Sequence, residues 1–363
     1  MSIKRRLIFA LAAILPFLAH ADSLNLKNQY PTEYTVKQGD TLWDISSKYL
    51  QSPWLWPQLW DANPALADPH LIYPGDKLQL IFVDGQPRLV RNHVRKRILK
   101  VSPQARPELK GSRAIPTIPL KLINSFLSRD YVATDDKLKL APVILGNNDG
   151  NTTFLVGHSI FASSSLKPGQ YGIYRRGRTY IDPVTKEKLG NEVEFIAIAR
   201  VVNTGTETIP AKLSILKSSK EARKGDRLLP MPEQDRLPVY FQPRNFQLAS
   251  DGLIVAADEK YSTIGKNDVV IINRGWRDSV GTGDVFAVLK RGKTIIRHEQ
   301  DLDFNYDDQV NQYDKLFADK NELQLPDERV GEMMVFKVYD KVSLALITHS
   351  SQVIRLNDKV SNL

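Results

Sequence analysis

The chain is 363 residues long, contains no cysteine and has a formal net charge of +9 at neutral pH. Because it lacks cysteine, it can form no disulfide bond, and peptidases and transpeptidases that use a thiol nucleophile are excluded. The positive charge is concentrated in one stretch, residues 87–113, which carries nine basic residues and one acidic residue. The length is sufficient for two or three domains, each with its own hydrophobic core.

The N-terminal residues have the pattern of a secretory signal peptide. Three basic residues at 4–6 precede an apolar stretch at 7–19, and the sequence Ala-His-Ala at 19–21 has the small residues that a signal peptidase recognises. The apolar stretch is too short to span a bilayer as a helix. We therefore expect residues 1–21 to be removed and the mature protein to be periplasmic, without stable membrane insertion; an uncleaved anchor is the alternative.

Residues 33–83 follow as a compact, tryptophan-rich unit. The sequence YTVKQGDTLWDIS begins as an alternating strand, turns at 39–40 and continues with apolar residues at helical spacing. A side-chain oxygen at this turn can cap the helix. A second short helix is predicted to begin at Pro57, a favoured first-turn residue, and a turn at 74–76 introduces a closing strand. The predicted order is strand, helix, helix, strand.

These residues resemble a LysM domain, whose fold is this βααβ unit. The resemblance covers residues 33–83 and is carried by the YTVKQGDTLWDIS opening and the LIYPGDKLQL close, whereas the middle is longer than in the commonest members. The family binds glycans containing N-acetylglucosamine in a shallow groove between two loops, which implies peptidoglycan as the partner. Carried over by position, the glycan-binding residues are Gly39, Asp40, Thr41, Leu42, Leu71, Ile72, Tyr73 and Pro74.

Several residues of this unit also have a purely structural interpretation. Leu42, Trp43 and Ile72 can equally be core residues. Trp54, Trp56 and Trp60 could form a platform on which sugars stack, but a small domain more often fills its core with such large rings.

Residues 84–119 are predicted to be a basic linker, because they combine the concentrated positive charge with proline and glycine. A solvated linker is the simplest interpretation, and attraction to anionic lipid or to peptidoglycan carboxylates is the alternative. The stretch lacks interleaved aromatic residues, so it does not predict nucleic-acid binding.

The remainder is predicted to be mainly β, because short runs rich in valine, isoleucine and aromatic residues alternate with turn residues. Three blocks recur in the same order: 168–177 with 281–292, 189–202 with 330–347, and 221–229 with 352–360. We therefore predict two repeated β domains at 120–232 and 233–363, the second with an inserted surface loop. Two unrelated β domains with similar turns are the alternative.

Motifs of catalysis and of metal binding are weak. The six histidines form neither an HxH nor an HExxH pair, and no GxSxG sequence is present. The sequence DLDFNYDD at 301–308 has alternating acids but lacks the glycine and the final glutamate of a calcium loop, so a solvated loop is preferred.

The combined prediction is an α+β protein, with a LysM module followed by a mainly-β region. We expect a non-enzymatic, periplasmic protein without cofactor or metal, which binds peptidoglycan and uses its β region to contact another envelope protein or to brace the structure. A cell-wall hydrolase, or a regulator of one, targeted by the LysM module is the alternative.

Overall fold

A computed structural model describes residues 24–60, 72–91, 116–127, 132–231, 241–257, 263–297, 304–306 and 322–363. The predicted signal peptide, most of the basic linker and most of the acidic stretch at 301–308 lie outside these ranges. The chain forms a small N-terminal module followed by two larger β units, in agreement with the predicted α+β class.

The N-terminal module has the predicted order of strand, helix, helix and strand. Its elements are β1 (Glu33–Thr35), α1 (Leu42–Tyr49), a 3-10 turn (Pro53–Leu55), α2 (Trp56–Trp60), β2 (Lys77–Val83) and β3 (Gln86–Arg91). The three strands form one antiparallel sheet with β2 in the centre. The helices bury all four tryptophans of the module, so the structure favours the core interpretation of these rings.

Strand β3 lies where the sequence analysis placed the basic linker. Asp84 and Gly85 both have positive φ angles, of 50° and 77°, and connect β2 to β3 in a tight hairpin. Asp-Gly is a strong hairpin signal because both central residues of such a turn need this left-handed conformation. Leu89 is fully buried, so residues 84–91 are part of the module's sheet instead of a linker.

Two short helices lie between the module and the main sheet of the first β unit. They are α3 (Leu120–Leu127) and α4 (Asp135–Leu140), neither of which the sequence analysis predicted. Thr134 caps α4 by accepting a hydrogen bond from the Lys137 amide at 3.2 Å.

The first β unit, barrel one, occupies residues 132–231. Its strands are β4 (Val132–Ala133), β5 (Ile144–Gly146), β6 (Thr153–Phe154), β7 (Ser159–Ala162), β8 (Gln170–Ile181), β9 (Lys188–Asn203), β10 (Ala211–Ser218), β11 (Ala222–Arg223) and β12 (Arg227–Pro230). The main sheet has the order β12-β8-β9-β10-β7-β5. A bridge between Val143 and Arg227 brings its two outer strands together.

The second β unit, barrel two, occupies the described residues from 241 to 363. Its strands are β13 (Gly252–Ala257), β14 (Val269–Ile272), β15 (Val285–Lys290), β16 (Thr294–Arg297), β17 (Phe304–Tyr306), β18 (Glu322–Gln324), β19 (Glu328–Val338), β20 (Ser343–Ser350) and β21 (Lys359–Ser361). Six of them close into a barrel in the order β13-β14-β20-β19-β15-β21. The predicted surface loop between β15 and β19 instead contains a separate sheet, with β16 between β17 and β18.

The two barrels run their strands in the same order. When the six strands of each barrel are numbered along the chain, both barrels have the neighbour order 1-2-5-4-3-6. In barrel one this order is β5-β7-β10-β9-β8-β12, and in barrel two it is β13-β14-β20-β19-β15-β21. Their last turns also agree: Asp226 and Asp358 each accept a hydrogen bond from the amide three residues earlier, both at 2.8 Å. The residue before each aspartate, Gly225 or Asn357, has a positive φ angle.

The same aspartate turn also occurs in the N-terminal module, where Asp40 accepts from the Lys37 amide at 2.7 Å and Asp76 from the Tyr73 amide at 3.0 Å. A carboxylate that accepts a backbone hydrogen bond fixes a short turn without help from neighbouring elements. The turns at Asp76, Asp226 and Asp358 each precede a strand, and the turn at Asp40 precedes α1, so the following element begins at a defined position in each case.

Candidate functional site

The first loop of the predicted groove connects β1 to α1. Gly39 is exposed and has a φ angle of +96°, which favours glycine. Asp40 fastens the turn, because its Oδ2 accepts from the Lys37 amide at 2.7 Å and from the Tyr34 hydroxyl at 2.8 Å. Burial, followed by this hydrogen bond to Asp40, raises the pKa of the Tyr34 phenol to about 12. The loop is a rigid turn.

Thr41 is the N-cap of α1. Its Oγ1 accepts from the Asp44 amide at 3.0 Å and donates to Asp44 Oδ2 at 2.7 Å. Only 2% of Thr41 is exposed, and Leu42 is fully buried. The structure therefore places these two predicted site residues beneath the surface, where their side chains serve the helix cap and the core.

The second loop connects α2 to β2. Ile72 is fully buried, whereas Tyr73 and Pro74 are partly exposed, and Leu71 lies outside the described residues. The Gly75 amide donates to the carbonyl oxygen of Val36 at 2.8 Å, and the Val36 amide donates to the carbonyl oxygen of Asp76 at 2.9 Å. These bonds connect the end of β1 to the second loop, so the two predicted walls of the groove lie side by side.

A segment from outside the module lies on the start of α1. The Leu42 amide donates to the carbonyl oxygen of Pro116 at 3.0 Å, and the Trp43 amide donates to that of Thr117 at 3.2 Å. Thr117 is 1% exposed and Ile118 is fully buried. We call residues 116–118 the covering segment. Sequence analysis missed it, because a contact made by backbone carbonyls leaves no signature in residue types.

Two charged side chains of barrel two contact the module. Lys266 Nζ forms an ion pair with Asp44 Oδ1 at 2.8 Å, next to the N-cap of α1. The Arg329 guanidinium lies over the Trp54 ring, 5.6 Å from its centroid, an arrangement in which the ring face attracts the cation. Barrel two therefore contacts the module both at the first turn of α1 and at the 3-10 turn that follows this helix.

A cleft of about 330 Å³ lies at this junction, lined by residues that include Trp54, Arg329, Glu332 and His349. Burial raises the pKa of Glu332, although Arg329 donates to its Oε1 at 2.9 Å. Burial likewise lowers the pKa of His349. Both shifts follow from the cost of burying a charged form, so burial favours the neutral forms of Glu332 and His349.

Two of the other predictions concern regions that the structure describes only in part. Residues 92–113 of the basic stretch lie outside the described residues, as do residues 301–303 and 307–308 of the acidic stretch. In the described part of the chain, no group of three potential metal ligands occurs. Within the same residues, no helix combines the length and the apolar character that crossing a membrane requires.

The strand order, the capped first helix and the two adjoining loops define a LysM-type module. Comparison with known proteins agrees: residues 34–80 match the family model of the LysM domain, so this part of the chain is a LysM domain. LysM is a binding domain for peptidoglycan and related N-acetylglucosamine glycans and is not itself catalytic.

A related sequence occurs in Bacillus subtilis (strain 168), in the protein described as "Uncharacterized protein YqbP". It is 37% identical to this chain over 60 residues, a match that covers 14% of this chain and 27% of that protein. The chain therefore spans about a quarter of the length of this curated relative.

Proposed function

We propose that this protein is an exported, non-enzymatic component of the cell envelope that binds the glycan strands of peptidoglycan through its LysM domain. The observation that carries the proposal is the LysM match at residues 34–80, on a module with the βααβ order. The signal-like sequence at 1–21 supports export to the periplasm, and mass spectrometry of the native protein should find a mature N-terminus at Asp22.

The proposed glycan site lies between the two loops, and its backbone groups carry most of the recognition. Among the predicted site residues, Gly39, Asp40, Tyr73 and Pro74 retain exposed surface. The tight turns present amide and carbonyl groups that can bond an N-acetyl group and hydroxyls, and Tyr73 can pack on a sugar face. The side chains of Thr41, Leu42 and Ile72 then support the groove from below, while their backbone remains part of the two loops.

A cosedimentation assay with purified sacculi tests this site in the full mature chain. Tyr73→Ala removes an aromatic ring from the proposed groove, and we expect it to lower the bound fraction several-fold. Phe82→Ala is the matched control, because Phe82 is an exposed aromatic residue on β2 at the hairpin end of the same sheet. Equal binding by the parent and both variants would place the glycan contact elsewhere.

We also propose that the protein does not cleave the wall, because its LysM domain is a binding domain. The two barrels then contact another envelope protein or brace the structure. Incubation of the mature protein with sacculi should release no muropeptides above a heat-inactivated control. Release at an enzyme-like rate would favour a hydrolase targeted by its LysM domain.

A further inference from the structure

The carbonyl oxygens of the covering segment accept hydrogen bonds from backbone amides that have no acceptor within α1. Leu42 and Trp43 are the first two residues of α1, and the first amides of a helix have no acceptor within it. Both amides donate instead to the covering segment, to the carbonyl oxygens of Pro116 and Thr117. Leu42 is one of the predicted site residues and Trp43 follows it, so these donors lie at the end of the first loop, where the N-acetyl group is proposed to bind.

The covering segment is packed on the module and does not merely pass near it. Thr117 and Ile118 are almost completely buried, and Thr117 Oγ1 has no hydrogen-bond partner among the residues described. Leaving a buried hydroxyl unpaired costs free energy. The apolar contacts of Ile118 must therefore provide much of the stabilisation that keeps the segment in place.

We propose that the covering segment is an internal competitor of the glycan, which must leave the start of α1 before a sugar can bind there. The inference rests on the proposed function. A peptide carbonyl and the carbonyl of an N-acetyl group are both amide oxygens, so each can accept from the Leu42 and Trp43 amides. One donor cannot serve both acceptors with good geometry.

Barrel two holds both sides of this contact. On one side, Lys266 pairs with Asp44 in the first turn of α1 at 2.8 Å. On the other side, α3 follows the covering segment directly, and Lys337 Nζ donates to the carbonyl oxygen of Phe126 at 2.7 Å. The rings of Phe126 and Phe336 also meet edge to face, with centroids 6.3 Å apart. The covering segment is thus held between two elements that rest on the same barrel.

The consequence for affinity follows from the population of the open state. When only a fraction of molecules has the groove free, the apparent affinity falls by that fraction. A change that loosens the covering segment without touching the groove should therefore tighten glycan binding. A merely structural segment would produce the opposite result, because loosening it would weaken the module.

The test compares three forms of the full mature chain, namely the parent, Ile118→Asp and Ile118→Val. Calorimetry measures the affinity for a soluble pentamer of N-acetylglucosamine, and hydrogen exchange with mass spectrometry follows the start of α1. We expect Ile118→Asp to bind about tenfold more tightly, since a buried carboxylate disfavours the covered state. Ile118→Val keeps the apolar contact and should bind like the parent. The Leu42 and Trp43 amides should exchange faster in Ile118→Asp and regain protection with glycan.

The outcomes separate this inference from the proposed function. If Ile118→Asp exposes the amides but binds as the parent does, or more weakly, the competitor is overturned and glycan binding stands. If no form binds although the amides are exposed, the proposed function fails and the competitor fails with it.

A second measurement avoids any variant that folds poorly. In the isotope-labelled parent, the carbonyl carbon resonances of Pro116 and Thr117 should shift when glycan is bound, because these carbonyls then lose the Leu42 and Trp43 amides as donors. Unchanged resonances of these two carbonyls in the saturated parent would overturn the competitor.

Discussion

Barrel one and barrel two share a strand order, yet they differ in closure and in what they carry. Barrel one closes through a bridge at Val143 and Arg227, whereas barrel two closes through paired strands, β13 and β21. Barrel two also contacts the LysM domain, α3 and barrel one. One architecture therefore occurs in two roles, and barrel two is the part on which the other units rest.

The contact between the barrels includes polar and charged groups. Asn273 of barrel two donates to Asp182 Oδ2 of barrel one at 2.6 Å, in a buried position. Nearby, Arg277 of barrel two forms two hydrogen bonds of 2.9 Å with Glu187, and Lys341 pairs with the same carboxylate at 2.7 Å. Asp182 and Glu187 both belong to the end of the β8–β9 hairpin, so barrel one docks mainly through that hairpin.

The largest predicted effect comes from matched cavities in the two cores. Phe154 in barrel one and Phe286 in barrel two are both fully buried, and changing either to alanine should cost about 3–5 kcal/mol. If barrel two supports the other units, Phe286→Ala should also accelerate hydrogen exchange in α1 of the LysM domain. Phe154→Ala should leave α1 protected. Equal loss of protection in α1 would show that the two barrels unfold as one unit.

An intermediate effect is expected from the matched turns of Asp226 and Asp358. Asp226 receives two hydrogen bonds from the Arg175 guanidinium, at 2.9 and 2.8 Å, so Asp226→Asn should cost about 1.5–3 kcal/mol. In the part of the chain that the structure describes, no arginine side chain forms an ion pair with Asp358, and burial raises its pKa. Asp358→Asn keeps the turn acceptor and should be neutral or slightly stabilising at pH 7. Denaturant unfolding compares the variants, and equal losses would contradict the distinction.

The smallest effect concerns pH and the barrel contact. Hydrogen bonds from Arg277 and then Lys341 lower the pKa of Glu187 from 4.5 to about 2. Because the folded pKa is the lower one, the contact is complete above pH 4.5 and weakens as the pH falls toward 2. Hydrogen exchange of the hairpin end in the parent, compared with Glu187→Gln, isolates this contribution from other carboxylates. A parent and variant with the same pH profile would show that Glu187 does not fasten the barrels.

The first and last elements of the LysM domain were predictable because the sequence patterns that specify them are local. Alternation, turn residues and helical spacing each act over a few positions, and together they predict strand, helix, helix and strand. The Asp84-Gly85 turn was equally local and predicts the β2–β3 hairpin, but its basic surroundings suggested a linker. Charged residues indicate solvent exposure, and both a linker and an outer strand such as β3 are exposed, so charge alone does not distinguish them.

The burial of Leu42 and Ile72 could not be predicted in the same way. An apolar side chain such as Leu42 or Ile72 suits either the core or a contact with sugar. Its burial distinguishes these two roles, and that burial depends on the tertiary packing of the surrounding elements. The covering segment meets α1 through main-chain carbonyls, which any residue supplies. The joining of two barrels at Glu187 likewise depends on a tertiary arrangement with Arg277 and Lys341.

The closure of the barrels limits how a partner strand could join this protein. A closed sheet has no edge strand with unpaired backbone groups, whereas the edge strands of an open sheet can pair with another chain. In the described residues, the open sheets are those of the LysM domain, flanked by β1 and β3, of the insertion, flanked by β17 and β18, and the two-stranded pair of β6 and β11 in barrel one. Recruitment by strand addition would therefore occur at one of these three sheets, leaving the barrel walls to contacts between side chains.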